Sequence, residues 1–404
     1  MNPAATDIDA VAAEIERELR EIAAWWSAHA VDREHGGFHG EIDADDTPVP
    51  GAGKGIVLNA RILWFFSAAG AHLRDPALLR LADRALDYLE RHFIDPVHGG
   101  VYWELDAEGR PLDTKKQGYA QAFAIYALCA HYRATGRAAS IARAHALFAL
   151  IEAHYLDKEL GGYVEAFTAD WSPIADMRLS EVDANFPKTM NTHLHILEAY
   201  TALHAAAPTA ATAQALRRCI DLMLDRFLDP ATHHLRLFFE SDWTDRSQAV
   251  SFGHDIEASW LLWEACEALG DAALSARAAP TLVAMASACL GEAQGPDGGL
   301  YNERHRDGKI DKSRIWWVQA EALVGFLNAH ELSGDPAFFD AFAKVWSFVR
   351  RHHRESSGEW RWWSSLDPVA ANRSYKAGFW KGPYHNGRSM IEAGDRLKRL
   401  AAPK

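Results

Sequence analysis

A short glycine-containing turn followed by alternating aromatic and polar residues occurs six times along the chain. The turns recur about every 60 to 70 residues, and a fixed period of this kind is typical of repeat architectures. The alternation predicts a short β-hairpin after each turn. The six segments are HGGFHGEID with Gly37, HGGVYWELDAEGRP with Gly100, LGGYVEAFTADW with Gly162, THHLRLFFESDW with His234 and no glycine, DGGLYNERHRDG with Gly299, and SGEWRWWSSLD with Gly358.

One predicted helix precedes each hairpin and another follows it. The preceding helices are amphipathic, and two of them begin with an aspartate N-cap followed by proline, at Asp75 and Asp335. The following helices, such as YAQAFAIYALCAHYRATG and FGHDIEASWLLWEACEALG, are apolar nearly all round, as buried helices are. The repeats therefore predict six helix pairs in two concentric rings.

This arrangement is an all-α fold, an (α/α)6 barrel of six helix pairs with short β-hairpins at one rim. An open superhelical array of the same repeats is the alternative, but six near-equal units and the apolar second helices favour a closed ring. No Pro/Ser-rich linker interrupts the sequence, so we expect residues 1–404 to form a single catalytic domain.

Composition and charge exclude several classes of function. The net charge of −13 argues against nucleic acid and anionic membranes as partners. The sequence contains no run of about eighteen apolar residues, so we expect no membrane-spanning helix. The acidic N-terminus does not resemble a signal peptide. The four cysteines form no CxxC pair and are expected to be buried free thiols. We expect a cytoplasmic monomer, and the 15 tryptophans suit either core packing or stacking on sugar rings.

Polar residues interrupt the apolar pattern of the predicted inner helices near their starts. If these helices run parallel in a barrel, their starts meet at one rim and form a concave pocket. Pairs three or four residues apart, such as Asn191 with His195 and His254 with Glu257, share a helix face. The full set is Asn59, Arg61, Tyr119, Gln121, Asn191, His195, His254, Glu257, Trp316, Trp317, Glu321, His385 and Arg388.

Each of these residues also has a structural interpretation. A histidine near a helix start can be a cap or a satisfied core group, Arg61 can form an ion pair with a glutamate, and Trp316 and Trp317 can fill the core. Three histidines at equivalent places in three repeats favour a functional site. We predict no metal and no other cofactor, because HExxH and GxxxxGK[ST] motifs are absent.

Two histidines from different parts of the ring, His254 and His385, suit proton transfer, because imidazole acts as acid or base near neutral pH. Epimerisation next to an aldehyde needs such a pair: one base removes the proton at C2 of an aldose and the other returns a proton to the opposite face. Aldose–ketose isomerisation uses closely related chemistry. A glycosidase would require paired carboxylates, and Glu257 and Glu321 lie one turn deeper than a His or a Trp.

The sequence resembles the cellobiose 2-epimerases, within the N-acylglucosamine 2-epimerase superfamily, over nearly its whole length. The stretches that carry the resemblance are HGGFHGEID, KGIVLNARILWFFSAA, GGVYWELDAEGRP, YAQAFAIYAL, KTMNTHLHILEAYTAL, SFGHDIEASWLL, LYNERHRDGKIDKSRIWWVQAEALVGFLNA and FWKGPYHNGRSMIE. Single words such as GHDIE are weak, but their order and spacing together are highly specific. The resemblance implies an (α/α)6 barrel and epimerisation at C2 of the reducing-end glucose of β-1,4-linked disaccharides.

The resemblance also assigns roles to individual residues. His254 and His385 match the two acid–base histidines of the family, and His195 matches a third essential histidine. Arg61 matches an arginine that binds the C1 and C2 oxygens. The remaining matches are substrate-binding or orienting residues: Glu257, Glu321, Tyr119, Asn191, Arg388, Trp316, Trp317 and Trp380. The resemblance implies a small sugar as substrate and no metal.

The sequence departs from the family pattern around Gln117, Gly118 and Ala120, where the family often has Asn after the tyrosine. These positions bear on the disaccharide preference more than on the chemistry. Two alternatives therefore stay open: the same chemistry on a free sugar, as in a mannose 2-epimerase or mannose–fructose isomerase, and a non-catalytic sugar- or protein-binding barrel. The presence of all three histidines argues against the second.

Overall fold

The computed structural model describes residues 8–367 and 375–402, and this part of the chain contains twelve α-helices. The odd-numbered helices are α1 (Ile8–His29), α3 (Pro76–Tyr88), α5 (Ala138–Leu150), α7 (Ala210–Leu222), α9 (Ala272–Glu292) and α11 (Pro336–His352). The even-numbered helices are α2 (Ile56–His72), α4 (Gly118–Thr135), α6 (Met190–Ala206), α8 (Phe252–Leu269), α10 (Trp316–Ser333) and α12 (Tyr384–Ala401). Single π-helical turns continue α3, α5 and α7.

The even-numbered helices form a closed inner ring. Each packs against the next even-numbered helix, and α12 packs against α2. Each odd-numbered helix packs on the outside of one inner helix: α3, α5, α7, α9 and α11 on the helix just before them in the chain, and α1 on α12. This is the predicted (α/α)6 barrel with six helix pairs, and the closed ring excludes the open array.

The difference between the two rings follows from their sequences. In α3, the buried Leu78, Ala82, Ala85 and Leu86 form one stripe, and Asp75 caps the helix by accepting a hydrogen bond from the amide of Ala77. The inner helices are buried on nearly every face. Removing a Leu or Ile side chain from water contributes roughly 1.5–3 kcal/mol each, so the inner ring is the main source of stability.

Short strands link the repeats around one rim. They are β1 (Lys54–Gly55), β2 (Glu104–Leu105), β3 (Pro111–Asp113), β4 (Lys116–Gln117), β5 (Ala166–Phe167), β6 (Lys188–Thr189), β7 (Phe238–Phe239), β8 (Ala249–Ser251), β9 (Glu303–His305) and β10 (Ile310–Asp311). The residues just before an inner helix pair with the hairpin of the next repeat, as β1 does with β2 and β8 with β9. A single bridge between Ile42 and Ala377 joins the sixth repeat to the first.

Inner helices hold the hairpins through side chains near their starts. The amide of Gln121 both donates to and accepts from the backbone of Val101, and Gln319 binds Leu300 in the same way. The Nε2 atom of His193, a residue not predicted for the site, accepts a hydrogen bond from the Tyr163 amide. The same position therefore stabilises the rim in several repeats, and Gln121 serves this purpose.

Glycine is required where a hairpin turn lies beneath a tryptophan of the next repeat. Gly162 has a φ of +80°, and a Cβ there would lie 2.7 Å from the ring of Trp243. The Trp243 indole also donates to the carbonyl of Leu160. The tryptophan thus closes over a turn that only glycine accommodates without strain.

Helix α9 is the one helix in the described ranges that is long and apolar enough to cross a membrane by length and composition. It lies in the outer ring, where Leu274, Leu282 and Met285 pack towards α8, so its position is that of a barrel helix. All four cysteines are free and buried, as predicted.

Candidate active site

The structure brings together the twelve residues to which the resemblance assigns catalytic or substrate-binding roles. Eleven of them form two groups of contacts inside the inner ring, at the end where the inner helices begin; Glu198 and Tyr384 join the two groups, and Asn191 lines a cavity beside His254. The set is Arg61, Tyr119, Asn191, His195, His254, Glu257, Trp316, Trp317, Glu321, Trp380, His385 and Arg388.

Arg388 connects three buried carboxylates. Its Nη2 donates to Oε1 of Glu257 at 2.7 Å and to Oε1 of Glu321 at 2.8 Å, while its Nη1 donates to Glu198 and to the hydroxyl of Tyr384. Burial raises the pKa of Glu257 to about 7, and repulsion from Glu321 adds to this shift although Arg388 opposes it. The guanidinium therefore offsets part of the negative charge beneath the pocket.

His385 is held by one of these carboxylates. Its Nδ1 donates to Oε1 of Glu321 at 2.6 Å, which leaves Nε2 available to a substrate. Burial lowers the pKa of His385 well below its usual range, and the charges of Arg61 and Arg388 lower it further. His385 is therefore an uncharged base at neutral pH.

His254 has a neutral partner. Its Nδ1 lies 2.7 Å from Oγ of Ser251, the residue before α8. Its ring centroid lies 4.8 Å from that of Trp317, and the same indole lies 5.6 Å from the ring of His385. Burial lowers the pKa of His254 to about 3, with a smaller contribution from His195. Both histidines thus contact one indole and are uncharged at neutral pH.

His195 forms a third pair of this kind. Its Nδ1 lies 2.9 Å from Oε2 of Glu198, three residues later on α6. The rings of Tyr119 and Phe123 lie 4.9 and 4.7 Å from the imidazole. Burial opposes ionisation of Glu198, but Arg388 and then His195 lower its pKa, so it remains a carboxylate.

Arg61 binds neutral groups. Nη2 donates to the hydroxyl of Tyr119 at 3.1 Å and Nη1 to the carbonyl of Trp380 at 2.5 Å. Its guanidinium lies over the rings of Phe123 and Tyr384. No carboxylate in the described part of the chain is within ion-pair distance of it, so the alternative of an ion pair with a glutamate is wrong. Its charge is available to an anionic oxygen.

A cavity of about 420 Å³ opens beside His254. Its lining includes Asn191, Ser251, Glu303 and the loop of residues 177–186 between β5 and β6. Gln117 holds this loop, because its Nε2 donates to the carbonyls of Met177 and Arg178 at 3.2 and 2.8 Å. One of the residues that departs from the family pattern therefore shapes the cavity.

Several buried polar atoms of the site have no hydrogen-bond partner in the structure. They are Oδ1 of Asn191, Oε2 of Glu257, Nε of Arg61 and Nε1 of Trp316. An unsatisfied buried polar group costs about 1–3 kcal/mol, so such groups are rare outside functional sites. Donors and acceptors together suit a ligand rich in hydroxyl groups.

The aromatic residues divide into two groups. Trp316 is almost fully buried and packs on Trp362 with 4.3 Å between ring centroids, which fits a core residue. Trp317 and Trp380 are partly exposed and lie beside His254 and Tyr119 respectively. These two are better placed to stack on a ligand.

Glu257, Glu321 and His385 lie close enough together to hold a metal ion. The two carboxylates already accept hydrogen bonds from protein groups, however. Arg388 donates to both carboxylates, and Oε1 of Glu321 also accepts from His385. The donor set therefore suits a guanidinium, and the absence of a metal requirement stays a prediction.

The resemblance implies that Glu257 orients a histidine or binds sugar hydroxyls. In the structure Glu257 binds Arg388, and the described hydrogen bond of His254 goes to Ser251. Three residues of the site were not predicted: Ser251, Glu198, and Tyr384, whose hydroxyl donates to Glu198. The spacing of Glu198, three residues after His195 on one helix face, could have revealed it. Asn59, also predicted, donates to the carbonyl of Gly55.

Comparison with known proteins gives a consistent result. A family model described as N-acylglucosamine 2-epimerase matches residues 36–386. A cellobiose 2-epimerase of Bacteroides fragilis is 47% identical over 94% of this chain and 97% of its own length. The structure of a cellobiose 2-epimerase from Bacillus thermoamylovorans superimposes with a TM-score of 0.91 at 36% identity, covering 96% of this chain and all of the other. A D-mannose isomerase of Thermobifida fusca is 27% identical over 88% of this chain and 87% of its own.

Fold and site together define an (α/α)6-barrel isomerase, an enzyme of the carbohydrate epimerase class. The paired histidines and the three carboxylates beneath them lie within the matched segment, and Arg388 follows two residues after its end. The chain belongs to the N-acylglucosamine 2-epimerase family.

Proposed function

We propose that this enzyme epimerises cellobiose, and with it lactose, at C2 of the reducing-end glucose. The observation that carries the proposal is the arrangement of His254 and His385, whose rings contact the same Trp317 indole. Each has its Nδ1 bound by a different partner, so each can present Nε2 to one sugar between them. Two bases at one carbon are what inversion requires.

The reaction follows from these groups. After the sugar ring opens by acid–base catalysis, one imidazole removes the C2 proton, and the electron pair moves to the C1 oxygen to give a cis-enediolate. The negative charge of the enediolate raises the pKa of the second imidazole, which takes up a proton from water at Nε2 and delivers it to the opposite face of C2. The first imidazole then releases the abstracted proton to water. The C1 carbonyl reforms and the configuration at C2 is inverted.

Arg61 is the group proposed to stabilise the enediolate. It carries the charge that neither Tyr119 nor the Trp380 carbonyl neutralises, and its Nε is buried without a partner. A fixed cation beside the developing charge lowers the barrier because no solvent has to reorganise. His195 is proposed to position the C1 and C2 oxygens, with Glu198 holding its ring.

The cavity supports a disaccharide as substrate. It extends from His254 to Glu303 and the loop held by Gln117, which leaves room for a second sugar beside the reacting one. We propose that Asn191, Glu257 and Arg388 bind or orient hydroxyl-bearing groups of the reacting sugar, and that Trp317 and Trp380 stack on its faces. The 47% identical relative is named for the same substrate.

The alternative is the same chemistry on a free sugar, because a D-mannose isomerase is also a relative, at 27% identity. The chemistry up to the enediolate is shared. Protonation at C1 instead of C2 would give the ketose.

We further propose that the enzyme needs no metal, acts as a monomer of one domain, and works in the cytoplasm. The metal-free site is supported by the contacts of Arg388 with Glu257 and Glu321. The single domain is supported by an inner ring that closes within one chain. The charge of −13 makes nucleic acid and anionic membranes unfavourable partners.

The test is proton NMR of the purified enzyme in D2O, first with cellobiose, then with lactose and with mannose, in the presence and absence of a chelator. Deuterium at C2 of a newly formed glucosyl-mannose, unaffected by the chelator, supports the proposal. Turnover of mannose but not cellobiose would move the enzyme to the free-sugar alternative, and release of glucose would indicate a glycosidase.

A further inference from the structure

A further buried carboxylate, in the sixth repeat, lies close to the site. Glu359 follows α11 and has no solvent exposure. It accepts four hydrogen bonds: at Oε1 from Nζ of Lys381 (2.9 Å), Nδ2 of Asn386 (2.8 Å) and the amide of Trp360 (2.7 Å), and at Oε2 from Nε1 of Trp26 (2.5 Å). We call these five residues the Glu359 hub. A carboxylate with this many donors in a dry environment is rigidly placed.

Two of the donors are sequence neighbours of site residues. Asn386 directly follows His385 in the first turn of α12. Lys381 directly follows Trp380, whose carbonyl binds Arg61. One carboxylate therefore binds two side chains, one at each end of the segment that presents Trp380 and His385.

The Glu359 hub also contacts the buried tryptophan of the site, Trp316. Nζ of Lys381 lies 5.6 Å from the centroid of the Trp316 ring, and that ring lies 6.4 Å from the ring of His385. Trp316 thus packs between a hub residue and the proposed base. A shift of Lys381 would be transmitted to His385 through this contact as well as through the backbone.

Two other inner helices bind their hairpins with neutral groups, whereas Asp255 of α8 accepts a hydrogen bond from the amide of Leu235. In α4 and α10 the link is a glutamine amide on the backbone. In α12 the hairpin instead supplies a charged acceptor and the helix supplies the amide donor. The charged acceptor makes this link stronger than the two glutamine links, and the ion pair with Lys381 holds the acceptor in place.

We propose that Glu359 is a positioning residue for the epimerisation, which acts through Asn386 and Lys381 to fix the imidazole of His385 relative to Arg61. This inference rests on the proposed function. Glu359 itself touches neither substrate nor reacting atoms; its contribution is the geometry of the base.

Replacing Glu359 would remove the ion-pair partner of the buried Lys381, whose ammonium would keep only the carbonyl of Lys376 as acceptor, and this would strongly destabilise the fold. The test therefore uses Asn386→Ala, which keeps the ion pair of Glu359 with Lys381 and removes the link from the hub to α12, together with the local hydrogen bond from the Gly387 amide. The matched control is Trp26→Phe, which removes one hydrogen bond from the same carboxylate on the side of α1.

We expect Asn386→Ala to lower kcat for cellobiose about ten- to hundredfold with KM unchanged, because small displacements of a catalytic group have effects of this size. Asn386→Ala and Trp26→Phe should lower the melting temperature by similar amounts, because each loses one buried hydrogen bond to Glu359. Only Trp26→Phe should retain the wild-type kcat. Equal losses of kcat in both variants, or wild-type kcat in Asn386→Ala, would overturn the proposal.

A second readout does not depend on activity. In protein labelled with ¹³C-histidine, the His385 resonance, identified by its loss in His385→Ala, should change its position in Asn386→Ala and keep it in Trp26→Phe. If the wild-type enzyme fails to epimerise cellobiose but this difference is seen, the proposed function fails and the positioning link holds. An unchanged resonance in Asn386→Ala would refute the link itself.

Discussion

Oε1 of Glu321 accepts a hydrogen bond of 2.6 Å from Nδ1 of His385. This contact fixes the tautomer in which Nε2 is the basic nitrogen, because a carboxylate oxygen accepts the Nδ1 proton. Arg388 donates to the same oxygen. Burial raises the pKa of Glu321, and the charge and hydrogen bond of Arg388 oppose this shift.

Glu321→Gln should therefore lower kcat by at least about a hundredfold, since an amide can hold the wrong tautomer of a catalytic histidine. KM should change much less. The control is Trp260→Phe, which removes the hydrogen bond of 3.1 Å from the Trp260 indole to Oε2 of Glu321 and should cost stability with little effect on kcat. Steady-state kinetics of both variants decide the matter, and equal kcat values would contradict the role of Glu321.

Substitution of either proposed base should abolish turnover. We expect His254→Ala and His385→Ala to lose about 10²–10⁴-fold or more in kcat, the usual contribution of general acid–base catalysis. Circular dichroism should show that both variants still fold. Substantial epimerase activity in either one would refute the two-base assignment.

Arg61→Ala should depress kcat more than it raises KM, because the proposed contact with the enediolate exists mainly in the transition state. A loss of about 10²–10³-fold in kcat corresponds to one strong oxyanion donor. Tyr119→Phe serves as a comparison: it removes the acceptor of Nη2 but leaves the charge. If Arg61→Ala keeps its rate, Arg61 has no role in the enediolate.

Glu165 should make stability depend on pH. Burial raises its pKa from 4.5 to about 8 although Thr192 and Thr189 donate to it. The folded protein therefore holds a proton that the unfolded chain releases, and the free energy of unfolding falls as pH rises from about 4.5 to about 8. In Glu165→Gln this contribution is absent. Urea unfolding at several pH values should show the wild type losing stability relative to the variant across this window; a constant difference would count against a raised pKa.

The two adjacent glycines of the third hairpin separate backbone strain from a steric clash. Both have positive φ, but a Cβ at Gly161 meets nothing within 4 Å, whereas a Cβ at Gly162 meets Trp243 at 2.7 Å. Gly161→Ala should cost about 1–2 kcal/mol from the left-handed conformation alone. Gly162→Ala should cost clearly more in chemical denaturation. Equal losses would mean that the indole moves aside freely.

The helical rings and the site residues were predictable because they are periodic in sequence. A buried helix such as α8 is apolar on all faces, and repeats of equal length place the starts of such helices at one rim. The same reasoning located His195, His254 and His385, which recur near the starts of α6, α8 and α12.

The partners of these residues were less predictable, because they come from distant parts of the chain. Arg388 binds Glu198 and Glu257 across the ring, and Glu359 is held by Trp26 from the first helix. No sequence period links these positions, and only the closed ring brings them together. Ser251 was missed for a different reason: a serine before a helix is usually a cap, whereas here its hydroxyl binds His254.

The packing of α1 and α2 against α12 has a consequence for synthesis of the protein. His385 and Arg388 lie on α12, so a nascent chain on the ribosome can assemble five of the six helix pairs and still lack a base and the guanidinium that balances its buried carboxylates. The catalytic centre can form only after α12 has left the exit tunnel and docked beside α1 and α2. Activity therefore reports the docking of α12, and a circular permutation that moved α12 ahead of α1 would keep every helix contact while changing the order in which the site is built.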